Sequence, residues 1–210
     1  GLQPFQGGAA GLFGYGLAHR IENIPRPRHD EFEVPDMVIG LYDWVLAWDH
    51  GSETCRIISH GFPAEAAQRQ RRAAERIREV KKLLLKTAGA RARESEAMPP
   101  LSREELAETW EVPEFPGMLS NFSRDDYTRA VARSIEYIRA GDIFQVNLSQ
   151  RLVCPAPGSP ENFYLALRKS NPAPYAGYFD LGEYVVASSS PEQFLSVEGE
   201  LVTTRPIKGT

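Results

Sequence analysis

Residues 123–153, SRDDYTRAVARSIEYIRAGDIFQVNLSQRLV, contain a predicted helix that is followed at once by a predicted strand. Ser123 is a favourable N-cap, and two acidic residues in the next turn suit the positive end of a helix dipole. Gly141 is a natural stop, because glycine readily adopts the left-handed conformation that ends many helices. Apolar and polar residues then alternate over 143–153, as in a strand with one covered face. The predicted buried stripe of the helix consists of Tyr127, Val131, Ile135 and Ile138.

Three further strands are predicted on the N-terminal side of this stretch. Gly7 to Gly16 is rich in glycine and aromatic residues, which favours a strand that another backbone approaches closely. It lacks the glycine spacing of a dinucleotide loop and the lysine of a phosphate loop. Met37 to Trp48 is almost continuously apolar, which predicts a central strand buried on both faces. Thr54 to Ser59 is expected to pair with it antiparallel, across a turn at 49–52.

Residues 63–93 change character and predict one long helix. Arginines and lysines occupy most of its surface and could form a nucleic-acid patch. No aromatic residues are interleaved for base stacking, so a solvated amphipathic helix is the favoured interpretation. Polar residues and prolines over 89–120 then predict a linker. The apolar positions at helical spacing are Ala73, Ile77, Val80 and Leu84.

Helices and strands are segregated along the chain, which predicts an α+β fold. A short helix is expected over Ser159 to Ser170. Four strand-like runs separated by short turns follow it and predict an antiparallel meander. These runs are Tyr175–Asp180, Tyr184–Ser188, Phe194–Val197 and Leu201–Thr204.

Charge, apolar content and cysteine content limit which partners and which cellular compartment can be expected. The 210-residue chain has a formal net charge of −4, and no run approaches the roughly 20 apolar residues of a membrane helix. Neither a nucleic acid nor a membrane is therefore expected as a partner. Cys55 and Cys154 could form a structural disulfide, but two buried free thiols of a cytoplasmic protein are the favoured interpretation. The chain starts without methionine and stops directly after a motif-like run, as expected of an internal segment.

Polar residues in the second half of the chain could carry chemistry. Gln145, Asn147 and Ser149 share one face of the predicted strand, where they either meet a polar ligand or face solvent. Glu192 follows a proline in SPEQF (190–194), where it could also be a plain turn residue. Residues 171–175 read NPAPY, a compact proline-rich segment.

Lys208 lies in the terminal run RPIKGT, between Ile207 and Gly209. A lysine beside a glycine and after an apolar strand could be partly desolvated. Desolvation lowers the pKa of a lysine and makes its amine a nucleophile. Most lysines, however, are ordinary surface charges, and the pattern alone leaves both interpretations open.

These motifs resemble the chorismate-utilising enzymes, and within them the aminodeoxychorismate synthase component I group. The resemblance implies an α+β fold in which antiparallel β-sheets form a sandwich with helices packed outside. It also implies a strand-rich N-terminal part at 1–62, a charged helix and linker at 63–120, and the first part of the chorismate-binding catalytic core at 121–210. The similar segments are PFQGGAAGLFGYGLAHRIE at 4–22, DMVIGLYDW at 36–44, GDIFQVNLSQRL at 141–152, SPEQF at 190–194 and RPIKGT at 205–210.

The resemblance implies a reaction at Lys208. Anthranilate synthases carry alanine in the corresponding PIAGT motif, whereas aminodeoxychorismate synthases carry lysine, as this chain does. The lysine amine is implied to add to C2 of chorismate as the C4 hydroxyl leaves, with Glu192 as general acid. Ammonia then attacks C4 and expels the lysine, which gives 4-amino-4-deoxychorismate for p-aminobenzoate and folate synthesis. Gly209 and Thr210 are implied to bind the substrate.

The same resemblance implies further ligands and partners. Asn171, Pro172, Ala173, Pro174 and Tyr175 are similar to the segment that holds tryptophan in these enzymes. Mg²⁺ is implied, with glutamate ligands outside this chain, so no metal ligand is assigned. A glutamine amidotransferase subunit is implied as the source of ammonia, and this chain alone is expected to be inactive.

Two other functions compete with this interpretation. Anthranilate synthase component I is the nearest, and Lys208 argues against it. A non-catalytic module that binds tryptophan or chorismate belongs to a different class. The pair of Glu192 and Lys208 argues against such a module, because a sensor needs no nucleophile.

Overall fold

The computed structural model describes residues 4–87, 106–156 and 158–207, and the chain divides into two units. Unit 1 comprises residues 1–26 and 34–94, and unit 2 comprises residues 27–33 and 95–210. The three predicted segments with bounds at 62 and 120 stay a prediction.

Unit 1 begins with the glycine-rich strand. β1 (Gly8–Phe13) pairs antiparallel with β2 (Met37–Tyr42), and a 3-10 turn at Tyr15–Leu17 leads into α1 (Ala18–Ile21). Gly11 lies opposite Ile39, and a Cβ on Gly11 would stand 1.9 Å from the carbonyl oxygen of Val38. The predicted close approach of a second backbone is therefore confirmed.

The predicted single strand from Met37 to Trp48 is wrong, because the chain changes sheets at Asp43. β3 (Trp44–Asp49) pairs with β4 (Thr54–Ser59), in a sheet separate from that of β1 and β2. The Asp43 carbonyl accepts hydrogen bonds from Ser59 Oγ at 3.0 Å and from the His60 N–H at 3.2 Å, next to the pair of Trp44 with Ser59, so Asp43 is attached to the β3–β4 side of this change.

The apolar run from Met37 to Trp48 is partly exposed, and its second half pairs with Thr54–Ser59. Burial on both faces is also wrong, because Leu41 is 68% exposed and Trp48 58% exposed. The antiparallel pairing with Thr54–Ser59 is confirmed. The intervening turn is fixed by Asp49 Oδ1, which accepts from the N–H groups of Gly51 and Ser52.

α2 (Ala66–Thr87) is the predicted charged helix and packs on β4. Val80 is its buried residue, whereas Leu84, which the apolar spacing placed in the same stripe, is 41% exposed. A helix of 22 residues is about 33 Å long. A strand of six residues spans only about 20 Å, so β4 covers part of the helix and leaves its last turns open.

Unit 2 contains α3 (Arg124–Ala140), which forms as predicted. Ser123 Oγ accepts the N–H of Asp126 at 3.0 Å, and Gly141 ends the helix in the left-handed conformation with φ at 82°. Both ends are therefore set by the local signals that predict them.

The predicted strand over 143–153 is wrong apart from β7 (Leu152–Val153). β5 (Trp110–Glu111), β6 (Leu119–Ser120) and β7 form a three-stranded antiparallel sheet in that order, within which β7 pairs with the two residues of β6. Just before β7, Arg151 N–H donates to the side-chain oxygen of Asn121 at 2.8 Å, in place of a backbone partner. The described part of the predicted linker at 89–120 thus contains two strands.

The rest of unit 2 consists of one helix and two hairpins. α4 (Pro160–Ser170) begins at its N-cap Ser159, as predicted. The four predicted strands are present, but they form two separate pairs and no continuous meander among the described residues. All strand pairs are antiparallel, so the predicted α+β class with antiparallel sheets is confirmed. The pairs are β8 (Gly177–Asp180) with β9 (Val185–Ser188), and β10 (Gln193–Glu198) with β11 (Leu201–Arg205).

Much apolar surface stays open in both units. Val80 is the buried apolar residue of the described ranges, with 4% of its surface exposed, and Ser120 is the buried polar one. Cys55 and Cys154 are free thiols as predicted, but both are exposed, so their predicted burial is wrong. None of the helices in the described ranges combines the length and apolar character needed to cross a membrane.

Candidate active site

The two hairpins and the end of α4 bring the NPAPY segment, the SPEQF segment and the start of the terminal run together. Asn171 is the C-cap of α4, and Tyr175 lies two residues before β8. Glu192 directly precedes β10, and Ile207 lies two residues after β11. All of these positions lie at the ends of helices or strands, outside the paired residues of the sheets. Loops at such ends commonly carry functional residues.

The NPAPY segment is attached to residues 189–193 by three hydrogen bonds. Ser189 Oγ donates to the carbonyl of Asn171. The backbone N–H of Tyr175 donates to the carbonyl of Ser190 at 3.1 Å. The Tyr175 hydroxyl donates to Gln193 Oε1 at 2.9 Å. Main-chain and side-chain bonds therefore both fix this segment against the SPEQF segment.

Within the NPAPY segment, the prolines shape the turn. Pro172 and Pro174 have no N–H to donate, and the Ala173 carbonyl accepts the N–H of Ala176 at 3.3 Å. Pro172 and Pro174 are exposed, Ala173 is half-buried, and Tyr175 is 38% exposed. A ligand at this segment would meet an open surface in unit 2.

Glu192 contacts the backbone directly before Lys208. Its Oε1 accepts the N–H of Ile207 at 3.2 Å, and its own N–H donates to Ser190 Oγ at 3.4 Å. The predicted site residues Lys208, Gly209 and Thr210 lie outside the described residues. The structure thus brings Glu192 to the residue that is covalently bonded to Lys208.

The strand pairing near Glu192 is irregular. Gln193 pairs with Arg205, but the next pair joins Ser196 to Thr203, so the register shifts between them. Two residues of β10 face one residue of β11 there, which is the arrangement of a β-bulge. Phe194, inside the bulge, is 84% exposed.

The site also contains residues to which the motifs assign no role. Ser189, Ser190 and Gln193 make the bonds that connect the two segments. Their polar side chains in a loop were the one sign in the sequence that they make such bonds. The sequence does not reveal the partners, because in two of the three bonds the partner lies 18 positions away. Gln145, Asn147 and Ser149 form no strand face, because their segment is irregular, and all three are exposed.

A partly buried ion pair lies elsewhere in unit 2: the Glu31 side chain is 6% exposed and that of Arg151 35% exposed. Glu31 Oε1 accepts hydrogen bonds from the Arg151 guanidinium and, at 3.0 Å, from the N–H of Ala107. The Arg151 hydrogen bond is the main cause that lowers the pKa of Glu31 to about 2. The guanidinium also lies over the ring of Phe32, 5.1 Å from its centroid. This pair ties residues 27–33 to the rest of unit 2.

The sequence matches the chorismate binding enzyme family over residues 2–210. This chain belongs to the chorismate-binding enzymes.

Two curated relatives have different printed activities. The chain is 37% identical over 211 residues to anthranilate synthase component 1 of Thermus thermophilus, which covers 100% of this chain and 40% of that protein. It is 33% identical over 209 residues to aminodeoxychorismate synthase component 1 of Escherichia coli, which covers 99% of this chain and 39% of that protein. The chain therefore spans about 40% of the length of these relatives.

The fold of this chorismate-binding chain is also found in a solved structure. Anthranilate synthase component I from Streptococcus pneumoniae superposes with a TM-score of 0.74 at 27% sequence identity. The match covers 97% of this chain and 43% of the other. The predicted resemblance to chorismate-utilising enzymes and to their fold is thus confirmed.

The described residues of this chorismate-binding enzyme do not supply a metal site. In residues 4–87, 106–156 and 158–207, no three histidine, cysteine, aspartate or glutamate side chains cluster as ion ligands. Mg²⁺ prefers carboxylate and water oxygens in octahedral geometry. The described residues therefore do not supply the donor set that Mg²⁺ prefers.

Proposed function

We propose that the whole protein is an aminodeoxychorismate synthase component I, which aminates chorismate to 4-amino-4-deoxychorismate. The observation that carries the proposal is the hydrogen bond from Ile207 N–H to Glu192 Oε1 at 3.2 Å, one residue before Lys208. It supports a common site for the carboxyl and the amine that the amination requires. The presence of lysine at position 208 selects this reaction among those of the family.

The proposed chemistry consists of two displacements relayed through the conjugated diene of the ring. In the first, Lys208 Nζ bonds to C2 of chorismate, both ring double bonds shift, and the C4–O bond breaks. Glu192 gives its proton to the departing oxygen, so the leaving group is water. In the second, ammonia bonds to C4, both double bonds shift back, and the C2–N bond to Lys208 breaks. The newly bound ammonium returns a proton to Glu192. The net change is the gain of one ammonia and the loss of one water.

The bond from Ile207 gives Glu192 a defined position for this role. One carboxyl oxygen, Oε1, accepts the backbone N–H, which leaves Oε2 to carry the transferable proton. A general acid must lie within hydrogen-bond reach of the leaving group. An acid that accepts the backbone N–H of Ile207 presents its proton from a fixed place in the proposed reaction.

The proposal includes a partner, a cofactor and a second ligand. Ammonia is supplied by a glutamine amidotransferase subunit or domain, and Mg²⁺ is held by residues outside those described. Tryptophan is proposed to bind at residues 171–175, and the site of the reaction is the cytoplasm. Equilibrium dialysis of the whole protein tests tryptophan directly, and absence of binding would dispose of that part.

Anthranilate synthase component I is the second candidate. The specific observation in its favour is sequence identity, which is 34–38% to four anthranilate synthases and 32–33% to four aminodeoxychorismate synthases. The difference between the two groups is small, because this chain differs from all eight proteins at most positions. We favour the first candidate because Lys208 supplies the nucleophile that its reaction needs.

The decisive experiment incubates the whole protein with chorismate, Mg²⁺ and ammonium and identifies the products by mass spectrometry. 4-Amino-4-deoxychorismate is expected, and Lys208→Ala should abolish or redirect its formation. Anthranilate with pyruvate would instead establish the second candidate. Unchanged chorismate from a folded protein would favour a non-catalytic binding module.

A further inference from the structure

Two other parts of the chain donate hydrogen bonds to the SPEQF segment. Tyr175 donates through its backbone N–H to Ser190 and through its hydroxyl to Gln193. Ile207 donates through its N–H to Glu192. Consecutive side chains of an extended chain point in opposite directions. The neighbours Glu192 and Gln193 accordingly serve different partners.

The strand ladder provides little support at this place. Beyond the pair of Gln193 with Arg205, the bulge interrupts the register until Ser196 meets Thr203. A bulge leaves a residue unpaired and bends its strand. The position of the chain at 192–193 therefore depends on side-chain bonds more than in a regular hairpin.

We infer that Tyr175 and Gln193 are a positioning pair for Glu192 and for the backbone directly before Lys208, an inference that rests on the proposed function. The Tyr175 hydroxyl holds Gln193 at 2.9 Å, and Gln193 pairs with Arg205, two residues before Ile207. Loss of the hydroxyl frees the start of β10. The carboxyl of Glu192 and its bond to Ile207 then lose their fixed geometry.

Three variants of the whole protein test the pair. Tyr175→Phe removes the donor and keeps the ring. Gln193→Met removes the acceptor and keeps the length and flexibility of the side chain. Gln193→Glu retains a side-chain oxygen that accepts from the hydroxyl. The matched control is Tyr137→Phe, because the Tyr137 hydroxyl accepts hydrogen bonds from the Arg133 guanidinium of the same helix, α3.

Two readouts are measured for each variant. The first is the steady-state consumption of chorismate, which does not depend on the identity of the product. The second is hydrogen exchange at the peptide that contains residue 207, followed by mass spectrometry. Tyr175→Phe and Gln193→Met should each lower kcat about 3- to 10-fold, as expected for the loss of one hydrogen bond. KM should change less than about twofold, because the interaction acts on the chemical step.

The exchange at residue 207 should become several-fold faster in the same two variants. Gln193→Glu should match the unmodified protein in the exchange, because its side-chain oxygen still accepts from the Tyr175 hydroxyl, and Tyr137→Phe should match it in both readouts. Unchanged kcat and unchanged exchange in Tyr175→Phe and Gln193→Met would overturn the inference. A protein that makes anthranilate but shows the expected losses would refute the proposed product and retain the positioning pair. A protein that consumes no chorismate would refute the proposed function, and the exchange would still decide whether the pair positions residue 207.

Discussion

Arg76 Nε donates a hydrogen bond to Asp43 Oδ2 at 2.9 Å, joining the middle of α2 to the point where the chain passes from β2 to β3. The Asp43 side chain is 17% exposed, and the Arg72 guanidinium lies 3.8 Å from the same oxygen. Partly buried hydrogen bonds to charged groups stabilise a fold more than exposed pairs do. Asp43 therefore connects the helix to both sheets of unit 1.

Asp43→Asn should lower the free energy of unfolding by about 1–3 kcal/mol, because the charge that two arginines approach is lost. The measurement is chemical denaturation of the whole protein, followed by circular dichroism. Glu75→Gln is the matched control, since Glu75 pairs with Arg71 on the exposed face of α2. Exposed pairs contribute about 0–1 kcal/mol, so equal losses in the two variants would contradict the role of Asp43.

Glu31 should make unit 2 sensitive to acid. Its pKa in the folded protein is about 2, against an ordinary value of 4.5, mainly because of the hydrogen bond from Arg151. A lowered carboxyl pKa contributes stability that is complete above the ordinary value and is lost as the pH falls towards the folded value. Between about pH 4.5 and pH 2, the unmodified protein should therefore lose the advantage that Glu31 gives it.

The variant Glu31→Gln isolates this contribution. Near neutral pH it should be less stable than the unmodified protein by about 1.5–3 kcal/mol, the range for hydrogen bonds to charged groups. The difference should shrink as the pH is lowered through that window. The exposed neighbour Glu33 gives the control Glu33→Gln. A Glu31→Gln difference that stays constant with pH would show that the charge is not responsible.

Gly11→Ala should be severely destabilising. The new Cβ would lie 1.9 Å from the Val38 carbonyl oxygen and 2.9 Å from the Ile39 Cα, both backbone atoms that cannot rotate away. The strands β1 and β2 would have to separate, and we expect a loss of at least about 2 kcal/mol in unfolding free energy. The control is Gly177→Ala in β8, where nothing lies within 4 Å of the added carbon. Similar midpoints for the two variants would contradict the close approach.

Glu192→Gln should separate proton transfer from positioning. The amide oxygen of glutamine can still accept the N–H of Ile207, but the side chain cannot deliver a proton to a leaving group. We expect kcat to fall about 10²–10⁴-fold, the usual contribution of a general acid, with an unchanged thermal midpoint. Glu198→Gln, at the exposed end of β10, is the matched control. Normal turnover by Glu192→Gln would remove Glu192 from the proposed reaction.

Elements with local signals were predictable from the sequence. The bounds of α3 follow from Ser123 and Gly141, because each residue acts on the turn in which it stands. The strand predicted over 143–153 failed, because a strand needs a partner, and β6 supplies only two residues for pairing. The change of sheet at Asp43 was also hidden, since one of its fixing partners, Arg76, lies 33 residues further along the chain.

The candidate site also combines residues that the sequence indicates with contacts that the sequence does not reveal. The family resemblance indicated Glu192 and residues 171–175, and their roles stay a prediction. The bond between Tyr175 and Gln193 spans 18 positions and involves two common residue types. Only the packing of the two hairpins reveals it.

The β10–β11 hairpin has a consequence for biogenesis. Phe194, Val197 and Leu201 are each at least 65% exposed on a pair of strands with no further neighbour among the described residues. An isolated two-stranded hairpin is marginally stable in water, and its unpaired edges can pair with another copy. A newly made chain therefore carries an aggregation-prone surface at this hairpin until its apolar faces are covered.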